Sequence, residues 1–262
     1  MTHLTKRLSN EKVNIGRRVS YDAIAEGYDR FVRESTIHRV VMPAVLDLCG
    51  PGRRILDLAC GQGVLTRALA GTGRTVVGVD ASEQLIHIAR AEEERQPLGI
   101  RYVEDDARSL DHVDDCSFDG VTCSLALTDI DELAGVLAAV GRVLKPGGWL
   151  VLATLHPCFG TAHIAVVELN GNPGVHVSRY FEEGRWWSAN PDRLLAPIGW
   201  HHRTLSTVLN LLLEAGFVLD RFEEPRGRDP VTGQLLYRHV AEVLAIRAGF
   251  RPGSRGALHS EA

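Results

Sequence analysis

From Arg53 onward the chain repeats one rhythm: a short apolar run, a break, then an amphipathic stretch. The runs fall at 54–58, 75–79, 100–103, 118–123 and 149–154, with helical periodicity at 64–70, 82–94 and 132–144. Five β runs separated mostly by helical text predict parallel strands with helices on both faces, an α/β fold. Gly71, Gly73 and the Lys145-Pro146-Gly147-Gly148 stop stand where such helices should end. Helical text also occupies 20–33, 37–49 and 204–215, the last closed by Gly216. Two further β runs, 217–222 and 239–246, bring the expected sheet to seven strands and read as an antiparallel hairpin. Residues 1–19 read as a polar arm, 20–247 as one domain and 248–262 as a disordered tail.

Composition narrows the field. With 45% hydrophobic and 24% charged residues among 262, the chain has material for a sizeable core, which excludes a disordered or disulfide-stapled protein. The net charge of −4 argues against a general polyanion binder, so nucleic acid is not an expected partner. No window approaches the ~20 apolar residues of a membrane span, and Met1 to Arg18 lacks the apolar core of a signal peptide. Five cysteines without a CxxC pair fit reduced thiols in a cytoplasmic protein, and no metal site is expected.

The strongest local signal is Ile55-Leu-Asp-Leu-Ala-Cys-Gly-Gln-Gly-Val-Leu-Thr66. A strand running through a glycine turn into a helix brings a ligand against bare backbone N–H groups. Asp80 ends the second run nineteen residues after Gly61, where a carboxylate can accept both hydroxyls of a ribose. Asp57 precedes the turn, and Thr66 replaces the third glycine of a dinucleotide fingerprint. An acidic turn is a poor neighbour for a pyrophosphate and a good one for a cationic cofactor. The plainer reading of Asp57, a cap for backbone groups of the turn, stays open.

These residues resemble the class I S-adenosylmethionine-dependent methyltransferases, over roughly residues 20–247. S-adenosylmethionine carries an ammonium, a sulfonium and one carboxylate, which suits the acidic turn. The resemblance implies a Rossmann-like, doubly wound, seven-stranded sheet, mostly parallel with an antiparallel last strand. It implies that Ala59, Gly61 and Gly63 approach the methionine and ribose, with Asp57 beside them, and that Asp80 and Ala81 border the ribose. It also implies that Asp106, in Val103-Glu-Asp-Asp-Ala-Arg108, accepts the adenine amino group, with Ala107 beside it and Leu125 after the fourth strand. Phe118-Asp119-Gly120 and Leu144-Lys-Pro-Gly-Gly148 match the family pattern, whereas Ala59 departs from it where many members have glycine. Tyr21 and Tyr28, seven apart on one helical face, are expected to close over the methionine end, and Arg33 to pair with its carboxylate. An amphipathic helix packing both rings onto the core is the alternative.

The methyl acceptor belongs beyond the fourth and fifth strands. Residues 156–203 carry six of the chain's sixteen aromatics and read as an acceptor lid suited to a small planar or greasy metabolite, as in natural-product tailoring. His156 and His201 are the candidate catalytic groups, because imidazole titrates near neutrality. A histidine hydrogen-bonded in a strand-end turn is the alternative for His156. His201 or its neighbour His202 is expected to face the pocket while the other caps the helix near Thr204. After the fourth strand stands Ser-Leu-Ala-Leu rather than the Asn-Pro-Pro-Tyr-like text of base-methylating relatives. Two other functions remain: a nicotinamide oxidoreductase, and a non-catalytic S-adenosylmethionine-binding regulatory or assembly module. The N-terminal arm is expected to take part in any homo-oligomer.

Overall fold

The computed structural model describes residues 20–160, 164–169, 172–188, 190–227 and 240–251. The expected N-terminal arm (1–19), and the expected tail beyond Arg251, lie outside the described residues. The chain opens with a 3-10 turn, Tyr21–Ile24, followed by α1 (Ala25–Glu34) and α2 (Thr36–Leu48). The alternating part is β1 (Arg54–Leu58), α3 (Val64–Gly71), β2 (Thr75–Asp80), α4 (Glu83–Arg95), β3 (Arg101–Glu104), β4 (Phe118–Ser124), α5 (Leu133–Val143) and β5 (Leu144–Leu155). After two small ribbons come α6 (Leu205–Glu214), β10 (Phe217–Glu223) and β11 (Val243–Phe250).

The seven strands lie in the order β10-β11-β5-β4-β1-β2-β3. β1 through β5 pair in parallel, and β11 is antiparallel to both β5 and β10. This is the expected Rossmann-like, doubly wound sheet. Period-two alternation explains its two covered faces. Ile55, Val76, Val151 and Ala153 pack with Val41, Val45 and Leu48 of α2. Leu56, Val77, Leu150 and Leu152 face the opposite layer with α5 and α6.

Two boundaries differ from expectation. β11 runs on to Phe250, paired with Phe217, and Arg251 N donates to the Gly216 carbonyl, so 248–250 are sheet rather than tail. The Lys145-Pro-Gly-Gly148 turn ends α5, yet it sits inside β5 as an irregularity: Leu144 pairs Phe118 and Trp149 pairs Gly120. Gly120 is obligatory there, since a Cβ would lie 2.2 Å from the Trp149 ring. Asp119 serves the same end of the sheet, accepting from Arg53 N and Arg54 N and pairing with Lys145.

The excursion after β5, unpatterned as text, forms two antiparallel ribbons: β6 (Ile164–Leu169) with β7 (Asn172–Val177), and β8 (Gly184–Trp186) with β9 (Trp200–His202). Trp186 is fully buried, and Arg179 lies 4.7 Å over its ring. Among the described residues no helix is long and apolar enough to cross a membrane.

Candidate functional site

A cavity of about 370 Å³ opens at the carboxyl ends of β1 to β4, roofed by the N-terminal helix and walled by β8. It sits where neighbouring strands β1 and β4 send the chain in opposite directions, the crevice in which open α/β sheets bind ligands. Its floor is the turn after β1. Ala59 (φ 52°), Gly61 (φ 56°) and Gly63 (φ 85°) take left-handed conformations, which bend the chain sharply before α3 begins. Ala59 adopts this conformation at a steric cost that a glycine would avoid.

The two carboxylates read from the sequence are held differently. Asp57 is 1% exposed and accepts from Thr66 Oγ1 (2.6 Å) and Thr122 Oγ1 (2.8 Å). Burial pushes its carboxyl up to about 6, against the pull of both hydroxyls. It caps hydroxyls rather than backbone groups, and still lines the cavity. Asp80 accepts from Gly61 N (2.8 Å) and Ser82 N (2.9 Å), one bond to each oxygen. Each oxygen keeps lone-pair capacity for a further donor. Burial raises its carboxyl too, opposed by those backbone bonds.

Tyr21 and Tyr28 both line the cavity, edge to face with centroids 4.8 Å apart. Asp22 pins this segment over the site by accepting from Ser82 Oγ (2.6 Å) and Gln84 N (3.1 Å). Ala81, Asp106 and Ala107 line the same cavity. Asp106 also holds Arg108, whose Nε donates at 2.9 Å, so a ligand amino group there shares the carboxylate.

Five expected site residues lie elsewhere. Arg33 is 53% exposed and pairs with Asp29 one turn back at 2.9 Å, away from the cavity. Gly63 does not reach the cavity, and serves close packing: a Cβ would come within 2.3 Å of Tyr102 Oη. Leu125 (φ 59°) turns toward the α2 face, while Ser124 and Ala126 border the cavity. His156 is buried with both nitrogens occupied, accepting from Cys158 N (3.1 Å) and meeting Glu224 Oε1 (3.1 Å). The strand-end alternative therefore describes it. Burial lowers its pKa, partly offset by Glu224.

His201 stands behind the cavity wall, 2.6 Å from Asp131 and accepting from Arg185 Nε at 2.9 Å. Burial and the Arg185 charge push it down to about 4, although Asp131 pulls the other way. With its Nε2 engaged by Arg185 and Asp131, and outside the cavity lining, His201 is a structural group here. His202 faces the Tyr180 carbonyl, and Thr204 itself caps α6, so neither histidine does.

Residues that sequence reasoning missed complete the walls. Arg185 of β8 donates to the carbonyls of Ile198 (2.7 Å) and Asp129 (3.3 Å) and to Asp131 (2.6 Å). Arg203 donates to the carbonyls of Leu127, Ile130 and Asp131, and His201 N to that of Thr128. These bonds stitch the β8–β9 ribbon to the loop after β4. Asp129, on that loop, lines the cavity and accepts from Tyr21 Oη at 3.0 Å. The sequence places 124–129 on the acceptor side, after the fourth strand, but does not single Asp129 out. Gln62, 4% exposed, lines the cavity with Nε2 buried and without a hydrogen-bond partner among the described residues.

These groups match the charges and hydroxyls of S-adenosylmethionine. Asp57 and Asp80 suit a cation, Asp80 has capacity for two hydroxyl donors, and the idle Gln62 amide offers a donor to a carboxylate. The residues present fit that molecule.

Comparison with known proteins agrees. Residues 56–152 match the family described as "Methyltransferase domain". The "Ubiquinone biosynthesis O-methyltransferase" of Thiobacillus denitrificans is 36% identical over 116 residues, 44% of this chain and 50% of that protein. Its namesake from Paracidovorax citrulli is 38% identical over 106 residues, 40% of this chain and 44% of that one. The chain thus spans about half the length of the curated relatives it matches. Among solved structures, an S-adenosylmethionine-dependent methyltransferase from Mesorhizobium loti is 29% identical with a TM-score of 0.66, covering 83% of this chain and 99% of that one. A second, from Listeria monocytogenes, has 25% identity and a TM-score of 0.64, covering 80% and 97%. By strand order, glycine turn and these likenesses, the chain carries a methyltransferase domain over residues 56–152 and is similar in fold to the class I S-adenosylmethionine-dependent methyltransferases.

Proposed function

We propose that the protein transfers the methyl group of S-adenosylmethionine to a small aromatic or hydrophobic metabolite, with oxygen as the acceptor atom. The observation that carries this reading is the acid-lined cavity around Asp80, whose oxygens are aimed by Gly61 N and Ser82 N. The name of the curated relatives, O-methyltransferases, supports oxygen. The apolar wall residues Ile130, Ile198 and Leu65 suit a greasy acceptor, which fits natural-product tailoring. Five free cysteines support action in the cytoplasm.

When bound, the cofactor supplies an electrophilic methyl group on a sulfonium. Asp80 holds the ribose hydroxyls, Asp106 and Ala107 border the adenine, and the Gln62 amide meets the carboxylate. Tyr21 and Tyr28 cover the methionine end and exclude water. In-line displacement needs alignment above all, which can supply on the order of 7–11 kcal/mol. The stitched β8–β9 ribbon provides a fixed wall against which an acceptor is aligned.

Calorimetry tests the reading. Wild-type protein is expected to bind S-adenosylmethionine and S-adenosylhomocysteine, and Asp80→Ala to weaken both by about tenfold or more, as loss of charge-assisted hydrogen bonds requires. Absence of binding by the wild type would sink it.

A further inference from the structure

We propose that Asp129 is the catalytic base, its Oδ1 taking the proton of an acceptor hydroxyl, with Tyr21 as the positioning residue that fixes Oδ2. The inference rests on the methyl-transfer reading and deepens it, because it names the acceptor class as a phenol or comparable hydroxyl.

The carboxylates of the cavity are not held alike. Asp57 and Asp80 have both oxygens engaged by threonine hydroxyls or backbone N–H groups. Asp105 accepts from Asp106 N and His112 N, and Asp106 is gripped by Arg108. Asp131 accepts from Arg185. Asp129 differs: Tyr21 Oη meets Oδ2, and Oδ1 accepts no hydrogen bond from the described residues. Asp129 lines the cavity, so its unengaged oxygen is the one left to meet an incoming O–H.

Position agrees with this role. Asp129 follows β4, across the crevice from Asp80 at the end of β2, and its loop is held by Arg185 and Arg203 of the lid. The groups facing it are Tyr21 and Tyr28 from the N-terminal segment, Arg185 from β8 and Asp80. Burial, helped by Asp80, pushes its carboxyl up to about 7, against the Tyr21 hydrogen bond and Arg185. A base poised near neutrality balances availability against proton affinity.

In the step, the acceptor O–H bond breaks and its proton passes to Asp129 Oδ1. The oxygen lone pair forms the new O–C bond, the S–C bond breaks, and its electron pair stays on sulfur. Asp129 afterwards loses the proton to solvent. A hydroxyl is a poor nucleophile while protonated, so the base matters most in this class.

The test combines S-adenosylhomocysteine calorimetry with transfer of labelled methyl to phenol, catechol and 2-naphthol, for wild type, Asp129→Asn and Tyr21→Phe. We expect Asp129→Asn to lower kcat on these acceptors about 100-fold or more, with product affinity held within about threefold. The wild-type kcat/KM should rise with pH through an acid limb near neutrality that Asp129→Asn abolishes. Tyr21→Phe removes the hydrogen bond that favours the ionised carboxylate, so its limb should move up by about one pH unit. A wild type that binds the product yet methylates none of the three overturns the proposal. So does an Asp129→Asn variant that keeps its rate or its limb, or a Tyr21→Phe limb that stays put. Failure to bind S-adenosylhomocysteine overturns the methyltransferase reading instead.

Discussion

Thr66 stands where a dinucleotide fingerprint would carry glycine, and the structure gives that substitution a reason. Its hydroxyl donates to Asp57 Oδ2 at 2.6 Å, while Thr122 from β4 serves Oδ1. Thr66→Val keeps the shape and removes the donor, leaving a buried carboxylate oxygen unmatched. Chemical denaturation should show a loss of about 1–3 kcal/mol. Equal stability would mean that Asp57 is folded in its protonated form and needs no such donor. Asp57, Gly61 and Asp80 could be read from sequence because strand, turn and spacing place them locally. His156 and Asp129 could not. Each sits at a strand end where the direction of one side chain depends on a distant partner, Glu224 for the first and Tyr21 for the second.

Strands and helices of the alternating region were legible because burial on both sheet faces imposes unbroken apolar runs, and helices need a stripe. The ribbons of the excursion were not, since three-residue strands such as Gly184–Trp186 carry no measurable period. Their placement comes instead from two arginines bound to carbonyls of the 127–131 loop. Arg203 reaches three of these oxygens with a planar fork that a lysine ammonium does not reproduce. Arg203→Lys should therefore loosen the loop, cost about 1–3 kcal/mol, and speed amide exchange at 128–131 without affecting α3 or α4. For catalysis we expect the acceptor KM to rise several-fold and donor affinity to hold, because Asp80 and the glycine turn lie on the other wall. Uniform exchange across the loop, unchanged from the wild type, would show that the ribbon is held by its apolar contacts alone.

At the scale of the whole molecule, the fold gathers carboxylates from β1, β2 and the loop after β4 into one crevice, and stability must answer for it. Asp129 has its folded carboxyl raised to about 7 from the ordinary 3.8, so between those values the native state binds more protons than the unfolded chain. Stability from this group therefore falls as pH climbs from about 4 to about 7. Asp57, raised to about 6, acts in the same direction. His38 and His201, both pushed down to about 4, act oppositely and favour the fold as pH rises toward 6.5. Wild-type stability alone therefore shows a blunted profile. The difference between Asp129→Asn and wild type isolates one group, since the other three are common to both. That difference should be small near pH 4.5 and grow in the variant's favour to about 2 kcal/mol by pH 8, a figure discounted for solvent screening in the open cavity. Urea denaturation at four pH values measures it. A difference that stays flat across the range would mean that Asp129 titrates as an ordinary surface carboxylate, and the crevice would then lack the strained acid on which its chemistry depends.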